Sequence, residues 1–313
     1  RSHRPGPFPI GGAGRWYFSR SIDSFSAFPI LILILIENVP SELPAAALYS
    51  SPAVGRLWKK VHQACSPFLH RPAVRHLYQR PASVLRQKLN FPYSLIALGC
   101  ADGTKEALLL RNLPPPAFLL AADTNLSLAR QATHRLPALK KSASHIDLTT
   151  HLPSSISHLP SPRLFTLFGV LPNLAPLPLL RHLGRRMQRG DFLLLSANLA
   201  PGKSGFAGAR KVLPQYDNLP TRRWLREAVD QYRPKLPPGR LEFGIHPDPK
   251  QKSLARIEAR WVSQTRDWIV FSSRRPTRSQ VEKWIRQTRL KRIARFLDPR
   301  GEEGVWLVGR NKS

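Results

Sequence analysis

The run Ser94-Leu-Ile-Ala-Leu-Gly-Cys-Ala-Asp-Gly-Thr-Lys-Glu-Ala-Leu-Leu-Leu110 constrains what this chain can fold into more than any other segment. An apolar stretch, Leu95 to Leu98, breaks at Gly99, turns through Ala101-Asp102-Gly103 and resumes with helical spacing from Thr104. Strand, glycine turn and helix in that order lay a nucleotide-like ligand across the carboxyl end of a parallel sheet. Glycine at 99 and 103 is expected to let the backbone approach such a ligand, where a Cβ would clash. Downstream, Ala117-Phe-Leu-Leu-Ala-Ala-Asp123 reads as a second buried strand ending in a carboxylate. An acid placed about 20 residues past the glycine turn can accept from both hydroxyls of a ribose. Two plainer explanations stay open. Gly99 and Gly103 also suit an ordinary strand-to-helix connection, and Asp123 can cap the helix that begins near Leu126. Ala101 stands where a dinucleotide fingerprint has its second Gly.

Around this unit, strands and helices alternate. Strands are expected at 94–98, 117–122, near 145–148, at 163–168 and at 191–196, with helices at 104–112, 125–136 and 176–187 between them. Such alternation implies an α/β, doubly wound parallel sheet. Residues 45–90 read as helical, divided by Pro67, Pro72 and Pro81. After Ala200 the rhythm changes: a helix at 221–232 and strands at 240–246 and 254–261 are too much for one connection. Residues 201–266 are therefore expected to form an inserted substrate-binding subdomain. The core should then resume with a strand at 267–271, a helix at 278–288, and a hairpin of 291–297 with 304–308. A Rossmann-like parallel sheet finished by an antiparallel C-terminal hairpin is the class I methyltransferase architecture. The expected divisions are a leader over 1–42, a helical segment over 43–93, a core over 94–200, the insert over 201–266 and completion of the core over 267–313.

The leader differs in composition from the rest. It is rich in Gly, Pro, Ser and aromatics and carries the apolar run Phe28 to Ile36. That run is far short of the ~20 residues that span a bilayer, and Glu37-Asn-Val-Pro offers no small-residue cleavage site. The expectation is that the leader lies outside the folded enzyme, with initiation near Val39. The net charge of +30 points to a polyanion partner or to a general bias towards arginine. Cys65 and Cys100 cannot build a disulfide framework, and His70, His76, His145, His151 and His158 have no metal-ligand spacing. A metal-free, cytoplasmic monomer without a membrane segment is expected.

Three blocks together resemble the L-histidine Nα-methyltransferases of ergothioneine biosynthesis, a branch of the S-adenosylmethionine-dependent methyltransferases. Leu98-Gly-Cys-Ala-Asp-Gly-Thr-Lys105 is similar to that family's glycine loop with its trailing lysine. Leu167-Phe-Gly-Val-Leu-Pro-Asn-Leu-Ala-Pro176 resembles the segment after its fourth strand, and Arg189-Gly-Asp-Phe-Leu-Leu-Leu195 its next strand. Tyr216-Asp217 with Thr221 resembles its Tyr-Asp-Asp and following Thr. The resemblance implies S-adenosylmethionine as cofactor, contacted by Gly99, Gly103, Lys105 and Asp123, with Asp147-Leu148 near the adenine. It further implies a small amino-acid-like amine as substrate, held by Asn173, Tyr216 and Ser273. The chain departs from the pattern at Phe271-Ser-Ser273, which keeps the serine of a Glu-x-Ser pair but not the acid. The family's tyrosine upstream of the glycine loop has only Tyr78 nearby, at a shorter spacing.

Other chemistries compete for these residues. Ala197-Asn-Leu-Ala-Pro-Gly-Lys-Ser204 nearly spells a phosphate loop, which would make Lys203 and Ser204 the groups of an NTPase, but Pro201 removes a cradling N–H. A nicotinamide cofactor could use the same glycine turn. An RNA methyltransferase would suit the charge. However, Pro172-Asn-Leu-Ala-Pro176 lacks the aromatic that stacks on a flipped base.

Overall fold

Ser94–Leu98 (β2), Arg163–Leu167 (β5) and Phe192–Asn198 (β6) are buried at almost every position, the pattern of parallel strands covered on both faces. They form the middle of a sheet completed by Phe118–Asp123 (β3), Lys140–His145 (β4), Leu290–Leu297 (β10) and Glu303–Arg310 (β11). In the computed structural model, which describes residues 41–44, 48, 51–149, 152, 154–232 and 237–310, the strand order is β10-β11-β6-β5-β2-β3-β4. β11 runs antiparallel to both β6 and β10, while β3, β4, β5 and β6 continue the parallel run of β2. This is the class I methyltransferase architecture, with its antiparallel C-terminal hairpin.

Side chains alternate between the two faces of each strand. Leu95 and Ala97 join Tyr78, Leu85 and Leu109 on one side, and Ile96 and Leu98 join Leu180, Leu183 and Trp284 on the other. The first side is covered by Pro72–Gln79 (α3), Pro81–Lys88 (α4), Thr104–Leu110 (α5) and Leu126–Arg135 (α6). Pro176–Arg186 (α7) and Arg278–Arg286 (α10) cover the second. Each fully buried Leu contributes roughly 2 kcal/mol. The sheet edges are polar: Lys140 and Lys141 on β4, and Lys291 and Arg292 on β10, are exposed and discourage further strand pairing.

A second sheet is built from Ser41–Glu42 (β1), Gly239–Pro247 (β7), Ala255–Ser263 (β8) and Trp268–Arg275 (β9), in the order β1-β9-β8-β7. Pro52–Cys65 (α1) and Leu219–Tyr232 (α9) pack on it, with Val54, Leu225 and Val229 against Ala259 and Val270. The prolines that divide the N-terminal helices each sit in the first turn, where the missing N–H is no loss. Pro67–His70 (α2) is the shortest of these.

Three expectations need correction or qualification. The strand near 267–271 does not resume the core. β9 pairs antiparallel with β8, because the link 264–267 is a hairpin loop and a parallel crossover needs about a dozen residues. The strand placed near 145–148 runs earlier, over β4, because its side chains are largely exposed and polar and give no apolar signal. Residues 1–40 lie outside the described residues. Ser41 and Glu42, assigned to the leader, pair in parallel with Trp268 and Ile269.

Candidate active site

The glycine turn leaves β2 through three left-handed residues: Gly99 (φ +60°), Ala101 (φ +47°) and Gly103 (φ +74°). A Cβ on Gly99 would stand 2.5 Å from Val170 Cγ2, and one on Gly103 would stand 3.1 Å from Ala132 Cβ and from Leu136 Cδ1. Neighbouring side chains of the protein therefore already crowd both positions, and the left-handed φ values favour glycine there as well. Asp123, at the carboxyl end of β3 and 9% exposed, accepts the Ala101 N–H at 2.8 Å and the Asn125 N–H at 2.9 Å. It is not the cap of α6. Asn125 does that work, accepting the N–H groups of Ser127 and Leu128. Burial pushes the Asp123 carboxyl above the usual range, against the hydrogen bonds from Asn125 and Ala101.

Lys105 turns from the first turn of α5 towards the start of the β5–α7 connection. Its Nζ lies 4.9 Å from the Tyr78 ring centroid, 5.4 Å from that of Phe68, and 3.0 Å from where a Gly169 Cβ would be. No carboxylate pairs with it among the described residues. Beside it Glu106 is buried, and its Oε1 accepts from the Thr166 hydroxyl at 2.9 Å. Desolvation raises the Glu106 carboxyl to about 7, even though its own backbone N–H and Thr166 act the other way. Asp147 follows β4 and accepts from both N–H and hydroxyl of Thr149, while Leu148 packs against the second core cluster.

A pocket of about 200 Å³ opens between the end of β6, β9 and the N-terminal helices. It brings together all three residues expected to hold substrate: Asn173, Tyr216 and Ser273. Asn173 ends a short turn at Leu171–Asn173 and does not cap α7, whose N-cap is Ala175. Tyr216 packs 5.8 Å from the Phe271 ring, and its hydroxyl lies 3.5 Å from Ser273 Oγ. Gly169 also lines this pocket and so connects it to the Lys105 ammonium. Gly99, Gly103, Asp123, Asp147 and Leu148 do not line it.

Several lining residues escaped the sequence reading. Arg275, 3% exposed, donates from Nη2 to the Tyr216 hydroxyl, and its Nη1 reaches the Leu199 carbonyl at 3.4 Å. Glu303, 5% exposed, accepts the Tyr78 hydroxyl proton, and Tyr78 also reaches Ser196 Oγ at 3.2 Å. Glu302 is bound by Arg71 and Gln215, each at 2.9 Å. Arg275 was findable: Phe271, Ser273 and Arg275 are alternate residues of β9 and share one face. Glu303 was hidden because it reads as the end of a hairpin loop, whereas it is the first residue of β11, opposite Asn198.

The near phosphate loop has an ordinary structural use, since the Ser204 hydroxyl caps Gly205–Val212 (α8) by accepting the Ala207 N–H at 3.4 Å. Among the described residues no three His, Cys, Asp or Glu side chains are grouped to hold a metal, and no helix is long and apolar enough to cross a membrane.

No family model and no curated protein sequence matches the chain. Solved structures do resemble it. An S-adenosylmethionine-dependent methyltransferase of Clostridium acetobutylicum is 11% identical, with a TM-score of 0.44 over 82% of this chain and 99% of that one. One from Anabaena variabilis is 12% identical, with a TM-score of 0.46 over 88% and 98%. The 1,6-didemethyltoxoflavin-N1-methyltransferase of Burkholderia thailandensis, with S-adenosylhomocysteine bound, is 12% identical, with a TM-score of 0.44 over 88% and 94%. Strand order and register within the chain establish its class I methyltransferase architecture.

Proposed function

We propose that the protein is an S-adenosylmethionine-dependent methyltransferase acting on the amine of a small amino-acid-like substrate, similar to the histidine Nα-methyltransferases. The observation that carries this reading is the junction at Gly169. Gly169 lines the pocket that gathers Asn173, Tyr216 and Ser273, and the Lys105 ammonium, which has no carboxylate partner among the described residues, lies 3.0 Å from where a Gly169 Cβ would be.

The residues around the glycine turn fit such a cofactor. Lys105 can take its carboxylate, having no acid partner among the described residues. Asp123 Oδ1 accepts the Asn125 N–H and, at 3.5 Å, the Thr124 hydroxyl, while Oδ2 accepts only the Ala101 N–H and so keeps capacity for a ribose hydroxyl. Asp147 and Leu148, which follow β4, would stand near the adenine. When bound, the cofactor supplies an electrophilic methyl group. The chain's own task is then alignment and the exclusion of water, because displacement at a methyl carbon needs an in-line nucleophile. Asn173 and the Tyr216 hydroxyl orient the substrate, and Ser273 supports Tyr216. An α-amino group has a pKa of about 8, so a useful fraction is neutral without a strong base.

One observation favours a second reading, methylation of RNA: the net charge of +30, with Arg222, Arg223, Arg226 and Arg240 around a groove of about 460 Å³ beside Trp261. Three of these arginines are already paired, with Asp217, Asp230 and Glu242. A methyl-transfer assay with labelled cofactor separates the two readings, run against total RNA and against a pool of free amino acids. The small-molecule reading expects label in the amino-acid fraction at a rate that rises with pH through the amine's pKa. Label in RNA, lost steeply as salt rises, would overturn it.

A further inference from the structure

The pocket wall carries one buried charge of each sign that no described residue matches. Arg275 pairs with no carboxylate among the described residues, and its Nε is buried without an acceptor. Its contacts, the Tyr216 hydroxyl and the Leu199 carbonyl, are neutral and use two of five donors. Its Cζ lies 4.8 Å from the Tyr216 ring centroid, which holds the guanidinium plane in place. Glu303 likewise has no cation partner among the described residues, only the Tyr78 hydroxyl. The other two charges of the wall, Arg71 and Glu302, neutralise each other. A buried ion without a counter-ion is costly, and the cost is recovered when a ligand supplies the opposite charge.

The two groups are held near each other by one strand end. Glu303 is the cross-strand partner of Asn198, and the next carbonyl, that of Leu199, takes Arg275. We propose that the pocket recognises an amino-acid zwitterion, with its carboxylate on Arg275 and its amine on Glu303. The methyl-transfer reading is needed only to say what becomes of the amine. A guanidinium fork matches a carboxylate in a way that a single ammonium does not. At about 200 Å³ the pocket is smaller than the roughly 300 Å³ at which drug-sized sites begin. Trp58, Trp224 and Phe271 form flat walls for a side chain. An amine lacking the carboxylate leaves Arg275 unmatched, and a carboxylic acid lacking the amine leaves Glu303 unmatched.

The test is a competition by saturation-transfer NMR on the full chain. The probes are histidine, tyrosine and tryptophan with their decarboxylated counterparts histamine, tyramine and tryptamine. Calorimetry with S-adenosylmethionine is run in parallel. The wild-type protein should prefer at least one amino acid over its amine by on the order of tenfold to a hundredfold. Arg275→Gln should bring that ratio near one by weakening the amino acid alone, and Arg275→Lys should keep part of it. Glu303→Gln should weaken both members of a pair alike. If Arg275→Gln does not fold, the Arg275→Lys ratio decides. Equal wild-type affinity for amino acid and amine overturns the proposal, as does no binding of any of the six. So does an Arg275 variant that weakens both members of a pair equally. Cofactor binding read by calorimetry stands apart from all of these, so loss of the methyl-transfer reading and loss of the zwitterion site remain distinguishable.

Discussion

The surroundings of the glycine turn and the neighbouring pocket treat their polar groups in opposite ways. Near the turn almost everything is satisfied from within: Asp123 binds the backbone of Ala101 and Asn125, Glu106 accepts from Thr166, and the glycines make room for Val170, Ala132 and Leu136. In the pocket, Arg275 and Glu303 are buried with no charged partner among the described residues. Around the turn, polar groups bonded within the protein contribute first to the fold. A wall with unmatched charges stores its discrimination for whatever ligand matches them. The difference teaches where changes should hurt stability and where they should hurt selectivity.

The largest effect should come from Asp123→Lys. It removes the acceptor of two backbone N–H groups and places a cation where the ribose is expected, so cofactor affinity should fall by on the order of a hundredfold. Unchanged binding by calorimetry would dismiss the assignment. The same variant should lower the melting temperature by more than Arg275→Gln does. If the pocket variant proves the less stable of the two, the contrast between the regions is wrong.

Next comes pH. Glu106 has a folded-state value of about 7 against an ordinary 4.5, because burial disfavours its charge. The folded state therefore holds the proton more tightly, so its contribution is complete below about 4.5 and is lost as pH rises through about 7. At ~1.4 kcal/mol per pKa unit, the loss is at most about 3.5 kcal/mol. Glu106→Gln should flatten the decline in denaturant-measured stability between those limits, and a slope that persists in the variant rejects the origin in Glu106.

Gly99→Ala should cost about 1–3 kcal/mol, since its left-handed φ and the contact with Val170 both oppose a Cβ. Pairing it with Val170→Ala should recover part of that loss if crowding, and not the backbone angle alone, is responsible. The smallest effect belongs to Asn125→Ala, which loses a helix cap worth about 1 kcal/mol. It should lower the melting temperature while leaving amino-acid selectivity untouched, because Asn125 supports only the surroundings of the glycine turn.

By itself the sequence determined the doubly wound core. Fully apolar strands such as Leu95 to Leu98 have one stable use, burial on both faces, and glycine and proline mark their ends. It also marked Asn173, Tyr216 and Ser273, though by resemblance and not by pattern. Tertiary structure alone decided that these three share a pocket, since they come from a turn, a loop and a strand of the second sheet. It decided that β9 leaves the core, because pairing is fixed by loop length and partner edge and not by the strand's own composition. It alone showed Arg275 and Glu303 to be unmatched. In a chain with 49 Lys and Arg residues, composition cannot say which cation is buried without a counter-ion; only the packing around it can.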